Sequence, residues 1–130
     1  MNQDTLILNV DDNDGALHAK TRLLMNAGFR VSEAVDGTAA LEMIAREMPT
    51  LVLLDVKLPD IKGTDVCRQI KANPATSTVL VVQTSAALIS PADKLRALDS
   101  GADGYLAAPF TPDELIAVVR GLLPPAPTND

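Results

Sequence analysis

Carboxylates follow two short apolar runs of this sequence, and their chemistry limits what the chain can bind. Asp11 and Asp12 come directly after the run 6–10, and Asp55 ends the run 51–55. Carboxylates held together raise one another's pKa until one of them keeps a proton, unless a cation lies between them. Mg²⁺ prefers carboxylates, a carbonyl, waters and a phosphate oxygen as ligands. If the two runs form neighbouring strands, the sequence predicts a magnesium site.

The acidic runs belong to a regular alternation of apolar and helical segments. Five apolar runs alternate with stretches of helical period. The runs are Leu6 to Val10, Phe29 to Val35, Leu51 to Asp55, Val79 to Gln83 and Gly104 to Ala107. They are nearly continuous rather than alternating, as expected of strands buried on both faces, and parallel strands require crossovers. The order predicts an α/β fold, a doubly wound five-stranded parallel sheet with five helices.

Capping residues mark two of the predicted helix starts. Thr111 precedes Pro112, and Glu114 completes a capping box with Thr111. Ser90 precedes a proline in the same way. Helices are therefore predicted to begin at residues 90 and 111. Gly28 follows the first helical stretch, where a left-handed residue often ends a helix.

Length and composition restrict the classes of protein that this chain can be. A chain of 130 residues suits one domain, expected over residues 1–123, and the proline-rich segment 124–130 is expected to be a flexible tail. The net charge of -6 disfavours nucleic acid as a direct partner. The single cysteine, Cys67, excludes an intramolecular disulfide. The sequence shows neither a signal segment nor an 18-residue apolar run, so a cytoplasmic location without membrane contact is expected.

The loop after the first run argues against direct nucleotide or flavin binding. Residues 11–15 read Asp-Asp-Asn-Asp-Gly and contain neither GxGxxG nor GxxxxGK[ST]. Such a loop suits a cation better than the phosphates of a nucleotide.

Four motifs along the chain form a specific combination. They are Asp11-Asp12, Asp55 followed by Leu58-Pro59-Asp60 and Gly63, Thr84-Ser85-Ala86, and Gly104-Tyr105 with Pro109-Phe110. Together they resemble the receiver domains of bacterial two-component response regulators, over Leu6 to about Leu123. The resemblance implies a flavodoxin-like sandwich with strand order 2-1-3-4-5. It implies a signalling module rather than an enzyme.

The resemblance also implies the roles of the acidic residues. Asp55 would be the phosphoacceptor, and a histidine kinase or phosphotransfer protein would supply the phosphoryl group. Asp12, Asp55 and the backbone carbonyl of Lys57 would ligate Mg²⁺ directly, with Asp11 acting mainly through water. A carboxylate is a competent nucleophile toward phosphorus when a metal orients it and shields its charge.

A switch and an output surface follow from the same resemblance. A hydroxyl after strand four would contact the phosphoryl group; Ser85 fits this position best, and Thr84 is the alternative. Tyr105 would be the aromatic residue that changes rotamer. Helix 4, strand 5 and helix 5 would then contact a downstream protein, or a second copy of the chain.

One position departs from the family pattern. Family members usually carry a lysine before the proline that follows strand five, and this chain has Ala108 there. No neighbouring lysine replaces it in the sequence, although Lys57 or Lys62 could reach the site from the loop after Asp55. We expect a stronger demand for Mg²⁺ and weaker switching.

Three readings of the function follow from the sequence. The first is a receiver controlled by phosphorylation, either a single-domain response regulator or a fragment of a hybrid kinase. The alternative is a pseudo-receiver, an interaction module that phosphorylation does not control. A metal-dependent hydrolase would need a further acid or base near Asp55, and the sequence assigns none.

Overall fold

The computed structural model describes residues 5–85 and 90–123, which form five strands and five helices in strict alternation. The elements are β1 Leu6–Val10, α1 Asp14–Asn26, β2 Arg30–Ala34, α2 Gly37–Glu47, β3 Leu51–Asp55, α3 Gly63–Ala72, β4 Leu80–Ser85, α4 Pro91–Asp99, β5 Gly104–Ala107 and α5 Pro112–Leu122. All neighbouring strands are parallel, in the order β2-β1-β3-β4-β5. The predicted fold and strand order are confirmed. The predicted tail, 124–130, lies outside the described residues.

The central strands are apolar because both faces of the sheet are covered. Every residue of β3 is buried. Val52 and Leu54 pack in one core cluster with Ile44 of α2 and Ile70 of α3. Their strand neighbours Leu51 and Leu53 pack in a second cluster, together with residues of α1 and α5. These residues are Leu24 of α1, and Leu115 and Val119 of α5. The alternation along β3 therefore joins two cores, one on each face of the sheet.

Helix ends agree with the capping residues. Both halves of the α5 capping box are present, with N···O distances of 3.1 Å between Thr111 and Glu114 in each direction. The helix α4 begins at Pro91, directly after Ser90. Gly28 has a φ of 99°, a conformation that favours glycine.

The largest difference from the predicted elements concerns β4. The strand was expected to end at Gln83, but it continues to Ser85. Thr84 and Ser85 stay in register with Leu106 and Ala107 of β5. The two hydroxyl residues therefore lie on the last positions of a buried strand rather than in the loop that follows it.

A carboxylate in the loop after β3 fixes the start of α2. Asp60 accepts hydrogen bonds from the amides of Gly37, Thr38 and Ile61 at 2.8–2.9 Å, and from the Thr38 hydroxyl at 2.6 Å. The Thr38 hydroxyl and these amides hold the pKa of Asp60 well below its usual range. The ionised carboxylate thus ties the loop after β3 to α2.

We expect Asp60→Asn to destabilise the fold, by an amount that depends on pH. Because the folded-state pKa is lowered, ionised Asp60 stabilises the fold above the unfolded-state pKa of about 4, and this contribution is lost as the pH falls below that value. Thermal unfolding from neutral to acidic pH should show the largest gap between variant and wild type at neutral pH. Asp99→Asn, at an exposed residue, is the control. A gap that did not change with pH would contradict this explanation.

Candidate functional site

Three carboxylates converge where β1 and β3 end. Ligand oxygens of Asp11, Asp12 and Asp55 all lie within 4.8 Å of one another. Direct pairing of the two strands, with Val10 opposite Leu54, produces this arrangement, since Asp11 and Asp55 come next along each strand. The structure therefore brings together the three acids that the sequence placed at one edge of the sheet.

Asp55 lies in a setting that disfavours its charge. It is 7% exposed, and its Oδ1 accepts a hydrogen bond of 3.1 Å from the Lys57 amide. Burial raises the pKa of Asp55, with further contributions in the same direction from the charges of Asp11 and Asp12; the Lys57 amide and the Lys20 ammonium oppose the increase. A bound cation would relieve this cost of ionisation.

The three carboxylates differ in how many of their oxygens already accept a hydrogen bond or form an ion pair. In Asp11, which is buried, Oδ2 lies 2.8 Å from Lys20 Nζ and Oδ1 accepts a hydrogen bond of 2.9 Å from the Asn13 amide. Asp12 is exposed, and within residues 5–85 and 90–123 its carboxylate has no recorded hydrogen bond or ion pair. This donor set fits Mg²⁺, because Asp12 and Asp55 retain oxygens for an ion while Asp11 can reach one through water.

The structure adds one residue that the sequence analysis missed. Lys20 shares the buried stripe of α1 with Leu17 and Leu24 and is itself only 7% exposed. A signal was present in the sequence: Lys20 is three residues after Leu17 and four before Leu24, on the same helix face. A lysine at such a position is rarely buried unless it is paired with an anion.

The lysines that the sequence suggested lie elsewhere. Lys57 and Lys62 line a separate cavity together with Arg68 and Arg96. Lys20 instead lines the cavity that contains Asp55. The charge that accompanies the acidic cluster therefore comes from α1.

Two of the acidic residues, Asp11 and Asp55, line a cavity of about 320 Å³. Its remaining wall is provided by Thr84 and Ser85 of β4, by Ala108, and by apolar residues of α1 and the segment before α5. The apolar residues are Ala16, Ala19, Leu23, Phe110 and Pro112. Both candidate hydroxyl residues thus line the cavity that contains Asp55, and Ala86 lies outside the described residues.

Tyr105 occupies a different position from the other predicted residues. It lies on β5 beside Gln83 of β4 and is not among the described residues that line the acidic cavity. Its hydroxyl is buried and has no hydrogen-bond partner within the described part of the chain. Lys94 Nζ lies 5.9 Å from the ring centroid. The ring therefore packs near α4, away from the carboxylates.

Comparison with known protein families assigns the chain to one of them. The model of the response regulator receiver domain matches residues 7–120. The chain belongs to this family. The recognised domain covers all five strands except the first residue of β1, and it includes the acidic cluster and both hydroxyls.

Known proteins similar to this receiver domain agree with the assignment. The response regulator MprA of Mycobacterium leprae is 40% identical over 117 residues, which are 90% of this chain and 50% of that protein. The chain thus spans about half the length of the curated relatives that it matches. A putative response regulator from Chloroflexus aurantiacus has a TM-score of 0.85 at 32% identity, covering 90% of this chain and 95% of its own.

A further solved structure is described as an activated form. The BeF3-activated N-terminal receiver domain of Klebsiella pneumoniae RstA is 29% identical with a TM-score of 0.82, covering 89% of this chain and 96% of its own. Within the described residues of the present receiver domain, no helix has the length and apolar character needed to cross a membrane.

Proposed function

We propose that this receiver domain accepts a phosphoryl group on Asp55, in a reaction that requires Mg²⁺. The supporting observation is a cluster of three carboxylates with ligand oxygens within 4.8 Å of one another, two of which, Asp11 and Asp55, line one cavity with the hydroxyl residues Thr84 and Ser85. The phosphoryl donor would be a histidine kinase or a phosphotransfer protein. Such transfer requires chiefly positioning and charge stabilisation, which this arrangement can provide.

Each acid has its own task in the proposal. Asp12, Asp55 and the backbone carbonyl of Lys57 would hold Mg²⁺, and Asp11 would contact it through water. When bound, the ion shields the carboxylates from the negative charge of the incoming phosphoryl oxygens. The Lys57 amide, 3.1 Å from Asp55 Oδ1, orients the nucleophilic carboxylate.

The chemical step is a displacement at phosphorus. A carboxylate oxygen of Asp55 forms a new P–O bond while the P–N bond to the donor histidine breaks, and the released imidazole nitrogen regains a proton from solvent. A β4 hydroxyl donates a hydrogen bond to a phosphoryl oxygen. We assign this contact to Ser85, with Thr84 as the alternative, since both line the cavity.

Output would pass through the surface of α4, β5 and α5. Tyr105 lies on this surface, and two large apolar side chains of α4 are exposed, Leu95 at 60% and Leu98 at 39%. Exposed apolar side chains are common at protein contacts. We propose a downstream protein as the partner, with a second copy of this chain as the alternative occupant.

The remaining assignments concern only these 130 residues. Their net charge of -6 disfavours nucleic acid as a direct partner. A cytoplasmic location fits the single, buried and unpaired Cys67 and the proposed kinase partner. The family match gives no support to the pseudo-receiver alternative. The departure at Ala108 therefore concerns how the site works rather than which family the chain belongs to.

The proposal is tested by incubating the wild-type chain with acetyl phosphate and Mg²⁺ and measuring its intact mass. We expect addition of one phosphoryl group, lost when EDTA replaces Mg²⁺ and removed by hydroxylamine, which cleaves acyl phosphates. A receiver known to use acetyl phosphate serves as the positive control. An unmodified chain beside a modified control would contradict the proposal.

A further inference from the structure

The cavity around Asp55 contains one cation that belongs to the protein. Among the described residues that line it, Lys20 is the only basic one. Its Nζ lies 2.8 Å from Asp11 Oδ2. Asp11 in turn belongs to the carboxylate cluster that includes Asp55. The ammonium is therefore held directly beside the acidic cluster.

The position of Lys20 is unusual for an ion pair that serves stability alone. At 7% exposure its ammonium has lost most of its hydration, a cost that pairing with one carboxylate often fails to recover. An ammonium has three hydrogens to donate. Asp11 is the only acceptor recorded for Lys20 within the described residues. Further donor capacity thus remains at the wall of the cavity.

The charges around the cavity indicate which group the remaining Lys20 hydrogen-bond donors would contact. Asp11, Asp12 and Asp55 carry three negative charges when ionised, against one positive charge on Lys20 and two on a bound Mg²⁺. Phosphorylation replaces the Asp55 carboxylate by an acyl phosphate that carries additional negative charge. The added charge develops in a cavity whose walls are otherwise largely apolar, where a fixed cation acts strongly.

We propose that Lys20 contacts the phosphoryl group on Asp55 and supplies from α1 the fixed positive charge of the site. This inference rests on the proposed function. During transfer from acetyl phosphate, an Asp55 oxygen bonds to phosphorus, the bond from phosphorus to the acetyl oxygen breaks, and acetate leaves with the electron pair. Lys20 stays protonated throughout and donates a hydrogen bond to a phosphoryl oxygen while retaining Asp11.

The assignment gives α1 a role in both chemistry and signalling. A phosphoryl contact through Lys20 would connect the modified site to the helix that carries Leu17 and Leu24 in the core. Ala108 lines the same cavity as Lys20, from the end of β5. A lysine introduced at residue 108 should therefore supply the same charge to this cavity from the end of β5.

The test compares rates of phosphorylation by acetyl phosphate in saturating Mg²⁺. Lys20→Met removes the charge but keeps the side-chain length, and Lys20→Arg keeps the charge. Arg22→Met, on the exposed face of the same helix, is the matched control for charge. We expect Lys20→Met to be slower by about 100-fold, Arg22→Met to match the wild type, and Lys20→Arg to retain much of the rate.

Two further measurements separate a role in the reaction from a role in folding. Mg²⁺ should bind Lys20→Met at least as tightly as the wild type, because a competing positive charge is gone. Adding Ala108→Lys to Lys20→Met should restore part of the lost rate. A Lys20→Met rate equal to that of the wild type would overturn the inference, as would a lost rate accompanied by lost Mg²⁺ binding.

A measurement on the unmutated chain covers the case in which Lys20→Met does not fold. Fluoroberyllate, a phosphoryl mimic, should shift the ¹³Cε signal of Lys20 but leave unchanged that of Lys71, which pairs with Asp103 at the other end of the sheet. A shifted Asp55 amide with an unshifted Lys20 signal would overturn the role of Lys20 and leave the proposed function standing. A wild-type chain that takes up no phosphoryl group would instead contradict the proposed function.

Discussion

Asp55→Asn is expected to lose phosphoryl uptake from acetyl phosphate, falling by at least about 100-fold to below detection. The amide that replaces the carboxylate is not a competent nucleophile toward phosphorus, and it is a poorer ligand for Mg²⁺. Intact mass spectrometry on wild type and variant in parallel measures the difference. An adduct of equal yield in Asp55→Asn would place the modification on another residue and contradict the assignment of Asp55.

Asp55→Asn should also unfold less readily than the wild type when no divalent ion is present. Asp55 is 7% exposed, and burial together with Asp11 and Asp12 raises its pKa. Because the folded-state pKa is raised, ionisation destabilises the fold as the pH rises through it, and the neutral amide avoids this cost. We expect a higher midpoint of urea unfolding for Asp55→Asn than for the wild type at neutral pH in EDTA.

Adding Mg²⁺ should reverse the order of stability. The ion should bind the folded wild type and raise its unfolding temperature, whereas Asp55→Asn should respond weakly. Asp99→Asn, at an exposed carboxylate of α4, should behave like the wild type in both conditions. A wild type that gains nothing from Mg²⁺ would contradict a metal site at these acids.

Gly63→Ala is expected to damage both the fold and the site. A Cβ at residue 63 would overlap the carbonyl oxygen of Asp55 and lie 2.8 Å from Val56 Cα. Both atoms belong to the backbone, so the end of β3 and the loop that follows it would have to move. Overpacking of this kind costs about 1–3 kcal/mol. Urea unfolding should show this loss, and phosphorylation should slow because Asp55 is displaced.

Gly121→Ala provides the matched control. This glycine lies in α5, and a Cβ there would meet no atom within 4 Å. Alanine favours the helix over glycine, so the variant should gain up to about 1 kcal/mol. If Gly63→Ala proved as stable as Gly121→Ala, the close approach of α3 to the Asp55 backbone would not matter for the fold.

The fold could be predicted from sequence because its signals are local. The nearly continuous apolar runs 6–10 and 51–55 indicate strands that are buried on both faces. The capping residues Thr111 and Glu114 indicate where α5 begins. The convergence of Asp11, Asp12 and Asp55 followed from a general property of parallel sheets, in which functional groups gather at the carboxyl ends of strands.

Two features depended on tertiary contacts and could not be predicted in the same way. The end of β4 depends on its pairing with β5. Thr84 and Ser85 both pair with β5, so the strand extends two residues beyond the apolar run that ends at Gln83. The sequence suggested Lys57 or Lys62, from the loop after Asp55, as the replacement cation, whereas the lysine that lines the cavity with Asp55 is Lys20 of α1. The spacing from Leu17 and Leu24 places Lys20 on the buried face of α1, but its pairing with Asp11 depends on how that helix packs on the sheet.

A crystal structure of the wild-type chain with Mg²⁺ and fluoroberyllate tests the central claim most directly. The ion should lie about 2.1 Å from oxygens of Asp12 and Asp55 and from the Lys57 carbonyl, and fluoroberyllate should be bound to Asp55. An ion held by other residues, or fluoroberyllate bound away from Asp55, would contradict the account.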